Sequence, residues 1–293
     1  FISFLIFLLG FNSLKNIASY SYFLFFISFI LMFTSFYYLK FLNFENKINF
    51  FTVILFTYIT LSIINFFIIF NNYYNPSPLK EKRMRIEKAN ELGIEFDKRT
   101  RLQVIEDYRK NNKETYGVIL PSLFSQQYIE KNLFPLSGIS NVLTVYGNET
   151  GEYLVYKSDR YGFNNEDYVY DQNEIDFLII GDSFAHGANV KNGNDVASIL
   201  RKKGYDAVTI GMGANGPLTE LASMVEYGVK FKPKIILWFL FSNDLNDLVR
   251  ELQNPILKNY LSNKNFNQNL INKQKKIDLM LKEIHEIKIS EFK

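Results

Sequence analysis

The sequence predicts an α/β domain built on a parallel sheet, preceded by N-terminal transmembrane helices. Three observations carry that expectation: long uncharged apolar runs in the first quarter, a strand-helix alternation from residue 175, and polar or glycine-rich residues at every strand end. Aromatic residues make up 17% of the 293-residue chain and charged residues 22%. The charged residues are almost absent from the first quarter, so the average hides two different regions. A net charge of +3 is too small to suggest nucleic acid as a partner. With no cysteine, disulfides and thiolate metal sites are excluded. Heavy use of Phe, Ile, Asn, Lys and Tyr reflects in part an AT-rich coding bias.

The membrane region is expected over residues 1–72. No charge falls between Lys15 and Lys40 or between residues 48 and 79, and each interval can supply the ~20 apolar residues of a spanning helix. Spans are therefore predicted at 16–39 and 48–70, with residues 1–11 reading as the tail of another. The opening at Phe1, inside an apolar run, reads as a fragment or a processed product. A secretory signal peptide explains that first run but neither later span. Residues 80–88 (KEKRMRIEK) are predicted helical, lying on anionic headgroups or facing solvent. Lys40 and Lys47 against Lys15 place the following domain outside the cytoplasm, while the basic run at 80–88 argues the other way. Residues 73–172 read as a juxtamembrane and linking segment of short apolar runs and turns, with no function of its own.

The α/β region is expected over 173–293. Residues 175–181 (IDFLIIG) form a continuous apolar run, as a strand buried on both faces requires. Helix 196–203, strand 205–211, helix 218–231 and strand 234–241 follow. Ligands of such sheets sit beyond the carboxyl ends of the strands, so chemistry is sought there. The first strand ends in Gly181-Asp182-Ser183-Phe184, which exposes a serine at a strand-to-helix turn. The second leads into GMGANGP (211–217), a source of backbone N–H groups. The third ends in Ser242-Asn243-Asp244, with an amide donor on the same rim. A nucleophile ringed by such donors suits acyl transfer, whose tetrahedral intermediate concentrates negative charge on one oxygen.

On these residues the chain resembles the SGNH/GDSL hydrolases, membrane-anchored here. Gly181-Asp182-Ser183 is similar to the family's first block and Asn243-Asp244 to its third. GMGANGPLTEL resembles the second, with Ala214 where glycine usually stands and Ser242 standing where glycine often precedes the ND pair. Weaker similarity extends upstream to SDRYGFNN (158–165). The resemblance implies a three-layer sheet of flavodoxin-like type and a serine ester hydrolase or O-acyl transferase that needs no cofactor and no metal. Ser183 would be the nucleophile, Asn243 and the Ala214 N–H the oxyanion donors, Gly213 the alternative donor, and Asp182 a supporting residue. The substrate would be an acyl ester, as on cell-envelope glycans or lipids, with the membrane bilayer as the other partner. The family's D-x-x-H block is absent, which implies a chain that stops before its base and turns substrate over barely. Of the two histidines, His186 is expected as a partly exposed residue at the site's entrance and His285 as a helix-face residue.

Two other readings compete. Gly211 to Gly216 satisfies G-x-G-x-x-G after a strand, the dinucleotide-binding pattern, with Asp244 somewhat late as its ribose acid. A decayed, non-catalytic member of the family on a membrane anchor is the other. Beyond Asp244, residues 245–260 and 269–287 are predicted as helices broken at Asn254-Pro255 and in the Asn-rich 262–269, forming an insertion beside the rim.

Overall fold

The computed structural model describes residues 43–74, 78–123 and 133–291. The chain divides into two compact units, Phe1–Arg85 and Ile86–Lys293.

In the first unit, helix α1 runs over Phe44–Tyr74, thirty-one residues, about 46 Å at 1.5 Å per residue. Its threonines return their hydroxyls to the preceding turn (Thr57 to the Val53 carbonyl, 2.7 Å; Thr60 to Phe56, 2.8 Å), which spares the helix unpaired polar groups. The span expected at 48–70 falls inside α1. Among the described residues, however, no helix is long and apolar enough to cross a membrane. The span expected at 16–39 and the partial one at 1–11 lie outside the described residues. Helix α2 (Pro78–Glu91) matches the helix expected over the basic run; its Arg85 pairs with Glu81 at 2.6 Å.

The second unit is mixed α/β with two three-stranded sheets. Helix α3 (Arg101–Lys110) opens on a capping box in which the Thr100 hydroxyl accepts from Gln103 N–H and the Gln103 side chain accepts from Thr100 N–H. Strands β1 (Thr115–Gly117), β2 (Leu143–Val145) and β3 (Val155–Lys157) make a small sheet, β1 parallel and β3 antiparallel to β2. Strands β4 (Phe177–Ile180), β5 (Ala207–Thr209) and β6 (Ile235–Trp238) make a parallel sheet in the order β5-β4-β6. Between them run helices α4 (Ser183–His186), α5 (Val196–Lys202) and α6 (Pro217–Ser223), the last continued by a π turn over Met224–Gly228. The predicted strands thus form, in the predicted parallel sense, and the helix expected over 218–231 forms with an irregular second half.

Side-chain alternation explains why β4 is apolar throughout. Leu178 and Ile180 join a large core with Val208, Ile210, Met212, Leu218 and Ala222. Ile179 points the other way, to Ala185, Ala197 and Ala207. Helices therefore cover both faces, α6 on one and α4 with α5 on the other. Each fully buried Leu or Ile stabilises this arrangement by roughly 1.5–3 kcal/mol. β6 is different: it is an edge strand whose Ile235, Ile236 and Trp238 stay exposed, as do Leu240 and Phe241 beyond it.

After β6 come α7 (Asp244–Glu251), α8 (Pro255–Ser262) and α9 (Gln274–Glu291). The break at Asn254-Pro255 is real: Asn254 caps α8 by accepting from Ile256 and Leu257 N–H. The helical character expected of 269–287 holds, but α9 does not stand free as an insertion. Ile277, Leu281 and Ile284 enter the main core. Its outer side reaches α3 through Glu286–Arg109 (2.8 Å) and the residue just before β1 through Lys282–Glu114 (2.6 Å).

Candidate functional site

The chain leaves β4 toward β5 on one side and reaches β6 on the other, so the carboxyl end of β4 is the topological switch point of the sheet. Ser183 stands there. Gly181 takes φ +150, with the Phe239 carbonyl and the Ala185 methyl close to where a Cβ would project; a larger residue would be strained and crowded there. Asp182 then caps α4, one carboxylate oxygen accepting from Phe184 N–H (3.1 Å) and the other from the Ser183 hydroxyl (3.3 Å). Ser183 is half-buried, while Asp182 is buried. The Ser183 N–H, as the first of its helix, meets no acceptor among the described residues.

The neighbouring strand ends close around this turn. Gly181 C=O accepts from Met212 N–H (3.3 Å), tying the second block to the first. The ring of Phe184 stacks on that of Phe241, centroids 5.0 Å apart, tying the third. Ala214 has φ +63, the left-handed conformation that favours glycine. Its carbonyl is fixed by two donors, Ser122 Oγ (2.7 Å) and an Arg250 guanidinium nitrogen (3.0 Å), and its N–H meets no acceptor among the described residues. Asn243 precedes α7 half-buried, one amide hydrogen donated to Asp247 Oδ2 (2.8 Å). Asp247 is in turn held by Arg250 at 3.0 Å. That bond orients the amide and leaves its second hydrogen for another acceptor.

Two expectations need correction. Gly213 does not serve as an alternative donor, because its N–H is given to His186 Nδ1 at 3.1 Å. His186 does not line the entrance either. It is fully buried, with Nε2 bonded to the Tyr156 hydroxyl at 2.8 Å. Since Nδ1 accepts, Nε2 carries the proton. Burial lowers the imidazole to about 4, so it is a neutral structural link between the small sheet and the site. His285 is likewise committed: its Nε2 accepts from Gly117 N–H at 2.7 Å, and burial lowers its pKa. Neither histidine is free to take the Ser183 proton.

The dinucleotide reading meets an electrostatic obstacle. The Gly216 and Leu218 N–H groups at the start of α6 already donate to the Glu251 carboxylate, at 2.7 and 3.0 Å. A pyrophosphate would have to displace a buried carboxylate from the amides it needs.

SDRYGFNN has a structural part to play. Asn165 donates to the Thr209 carbonyl (2.8 Å) and accepts from Thr209 N–H (2.9 Å) at the end of β5, while Asn164 donates to the His186 carbonyl (3.0 Å). The motif clamps β5 and α4 from behind.

Behind the rim lie acids that the sequence reading passed over. Glu220 is fully buried and accepts from the Trp238 indole N–H at 2.6 Å. Its carboxyl is pushed up to about 8, first by burial and then by the charges of Asp244, Glu251 and Asp182, against the bond from Trp238. An acid on the inner face of α6 was the available signal. Because Trp238 is the chain's single tryptophan, its emission should titrate with a midpoint near pH 8 and lose that transition in Glu220→Gln. Stability should follow. A raised carboxyl pKa contributes fully below the unfolded value and is lost as pH rises through about 8. Above about pH 7.5 His186 is neutral in both folded and unfolded chains, and Asp159, raised by burial to about 6, is ionised. The unfolding temperature should therefore fall between about pH 7.5 and 8.5, less steeply in Glu220→Gln.

Among the described residues no group of three or more His, Cys, Asp or Glu is arranged to hold a metal ion. Compared with protein-family models, with curated proteins and with solved structures, the chain finds no match.

Proposed function

We propose that the second unit is a serine ester hydrolase or O-acyl transferase of SGNH type, with Ser183 as its nucleophile. The observation that carries the reading is the convergence of three motif-bearing segments at the switch point: Ser183 on its helix N-terminus, Ala214 in a glycine-like conformation with its N–H unengaged, and the amide of Asn243 oriented by Asp247. Attack by Ser183 Oγ on an acyl carbonyl places negative charge on the carbonyl oxygen, which backbone N–H groups and an amide are suited to meet. The serine proton needs an acceptor. Asp182 lies nearest but is a weak base held by the Phe184 amide, and both histidines are committed. The proposal therefore requires a base from outside this set, which added imidazole can replace. In imidazole buffer an alkyl fluorophosphonate should label Ser183, and Ser183→Ala should remove the label. The open apolar edge of β6 supports a sheet wider than three strands, as the family has.

We further propose membrane attachment through the N-terminal unit, with the hydrolase region outside the cytoplasm. Helix α1 exposes Val53, Phe56, Ile59, Ile63, Phe66 and Phe70 along one broad side, an apolar face that water does not favour. The whole chain should remain with carbonate-washed membranes; its release into the wash would end this part of the proposal.

A further inference from the structure

Tyr146 directly follows β2. Val145 turns its side chain to Val104 and Ile105, so Tyr146, one residue on, faces the opposite side, where it packs with Leu154 and Tyr156. Its ring stands edge-on to His186 at a centroid distance of 5.0 Å. Its hydroxyl comes so close to Gly213 that any side chain at that position would collide with it. Gly213 immediately precedes Ala214, whose N–H is part of the same turn. After burial, the charge of Arg101 acts on the phenol, and then, in the opposite sense, that of Asp182, the residue before Ser183.

The residue is 9% exposed, and among the described residues its hydroxyl has no hydrogen-bond partner. Neither His186 nor Gly213 is available to it: both His186 nitrogens are taken by Tyr156 and Gly213, and Gly213 N–H has no second bond to give. The hydroxyl is not sealed from solvent, and an unpaired hydroxyl that reaches solvent beside the turn carrying a proposed oxyanion donor is available to a bound substrate.

We propose that Tyr146 is a further substrate-contacting residue of the Ser183 site, its hydroxyl donating a hydrogen bond to the oxygen of the bound acyl group. This rests on the acyl-transfer reading above. Burial pushes the phenol up to about 12, so it stays protonated and remains a donor throughout the neutral range. It adds to the Ala214 N–H and the Asn243 amide a donor borne on the small sheet, which gives that sheet a place in the chemistry.

The test is the second-order rate of Ser183 phosphonylation by an alkyl fluorophosphonate in imidazole buffer, for the whole chain in detergent. Tyr146→Phe keeps the ring on His186 and removes only the donor; its rate should fall about tenfold or more, with the unfolding temperature unchanged. Tyr146→Leu should be as slow and should also unfold at lower temperature, because the ring contact is lost. A Tyr146→Phe variant that reacts at the wild-type rate overturns the proposal and leaves the acyl-transfer reading standing. If the wild-type chain incorporates label no faster than Ser183→Ala, the acyl-transfer reading itself fails, and the role of Tyr146 fails with it.

Discussion

Replacing Asn243 by alanine should lower imidazole-supported turnover of a short acyl ester by about 10²–10³, the usual loss for one oxyanion donor. The side chain is well placed for that part. It stands just before α7, and the Asp247 bond at 2.8 Å fixes which way its amide faces. On the proposed acyl-transfer reading the effect should fall on turnover more than on KM, because the charge that Asn243 would meet exists only once Ser183 has attacked. Phosphonylation should persist in the variant, slowed, since the nucleophile is intact. Asp247→Ala should produce a smaller loss of the same kind, by freeing the amide to rotate. Steady-state kinetics of the two variants against Ser183→Ala as background is the measurement. Equal turnover in Asn243→Ala and wild type would remove Asn243 from the site.

The second large effect is expected at Asp159, far from the acyl chemistry in role. Its carboxyl accepts four hydrogen bonds: from Tyr161 N–H (2.9 Å), Phe163 N–H (3.0 Å), Asn165 Nδ2 (2.8 Å) and the Tyr170 hydroxyl (2.6 Å). All of these groups are buried. Asp159→Ala leaves the Tyr161 and Phe163 N–H groups and the Tyr170 hydroxyl without an acceptor, while Asn165 keeps the Thr209 carbonyl and the Tyr170 oxygen, and each buried orphan costs roughly 1–3 kcal/mol. A net loss of about 4 kcal/mol is expected, a large part of the 5–15 kcal/mol that holds an ordinary domain folded. Denaturant unfolding at pH 7.5 of the two proteins checks it; a difference below about 1 kcal/mol would mean that water replaces the carboxylate at no cost. The variant should also lose activity, because Asn165 is positioned by Asp159 and itself grips both sides of Thr209.

What could be read in the sequence follows the range of the forces involved. β4 was legible because a strand buried on both faces has to be apolar at every position, and Leu178, Ile179 and Ile180 are all inaccessible. Ser183 was legible because a serine after such a strand can only lie on the rim. The small sheet was not legible. Its strands are three residues each, too short for a two-residue alternation to stand out, and β1 pairs with β2 across 28 residues. The roles of the histidines were hidden for the same reason. His186 is decided by Tyr156 and Gly213, His285 by Gly117, and these partners lie 30, 27 and 168 residues away. The fate of G-x-G-x-x-G was decided by Glu251, 35 residues beyond Gly216. Helix α9 carries a recognisable helical pattern, but only its bonds to Glu114 and Arg109 show that it fastens the upstream segment and not the rim. Tyr146 left no signal at all, since a lone tyrosine after a three-residue strand looks like any other.

The most direct measurement is mass-spectrometric mapping of the peptide that carries the label after the whole chain, in detergent and imidazole buffer, meets an alkyl fluorophosphonate. A single adduct on Ser183, formed faster as imidazole is raised and absent from Ser183→Ala, is the expected result. An unlabelled Ser183, or label spread over other serines at rates that Ser183→Ala leaves unchanged, would contradict it.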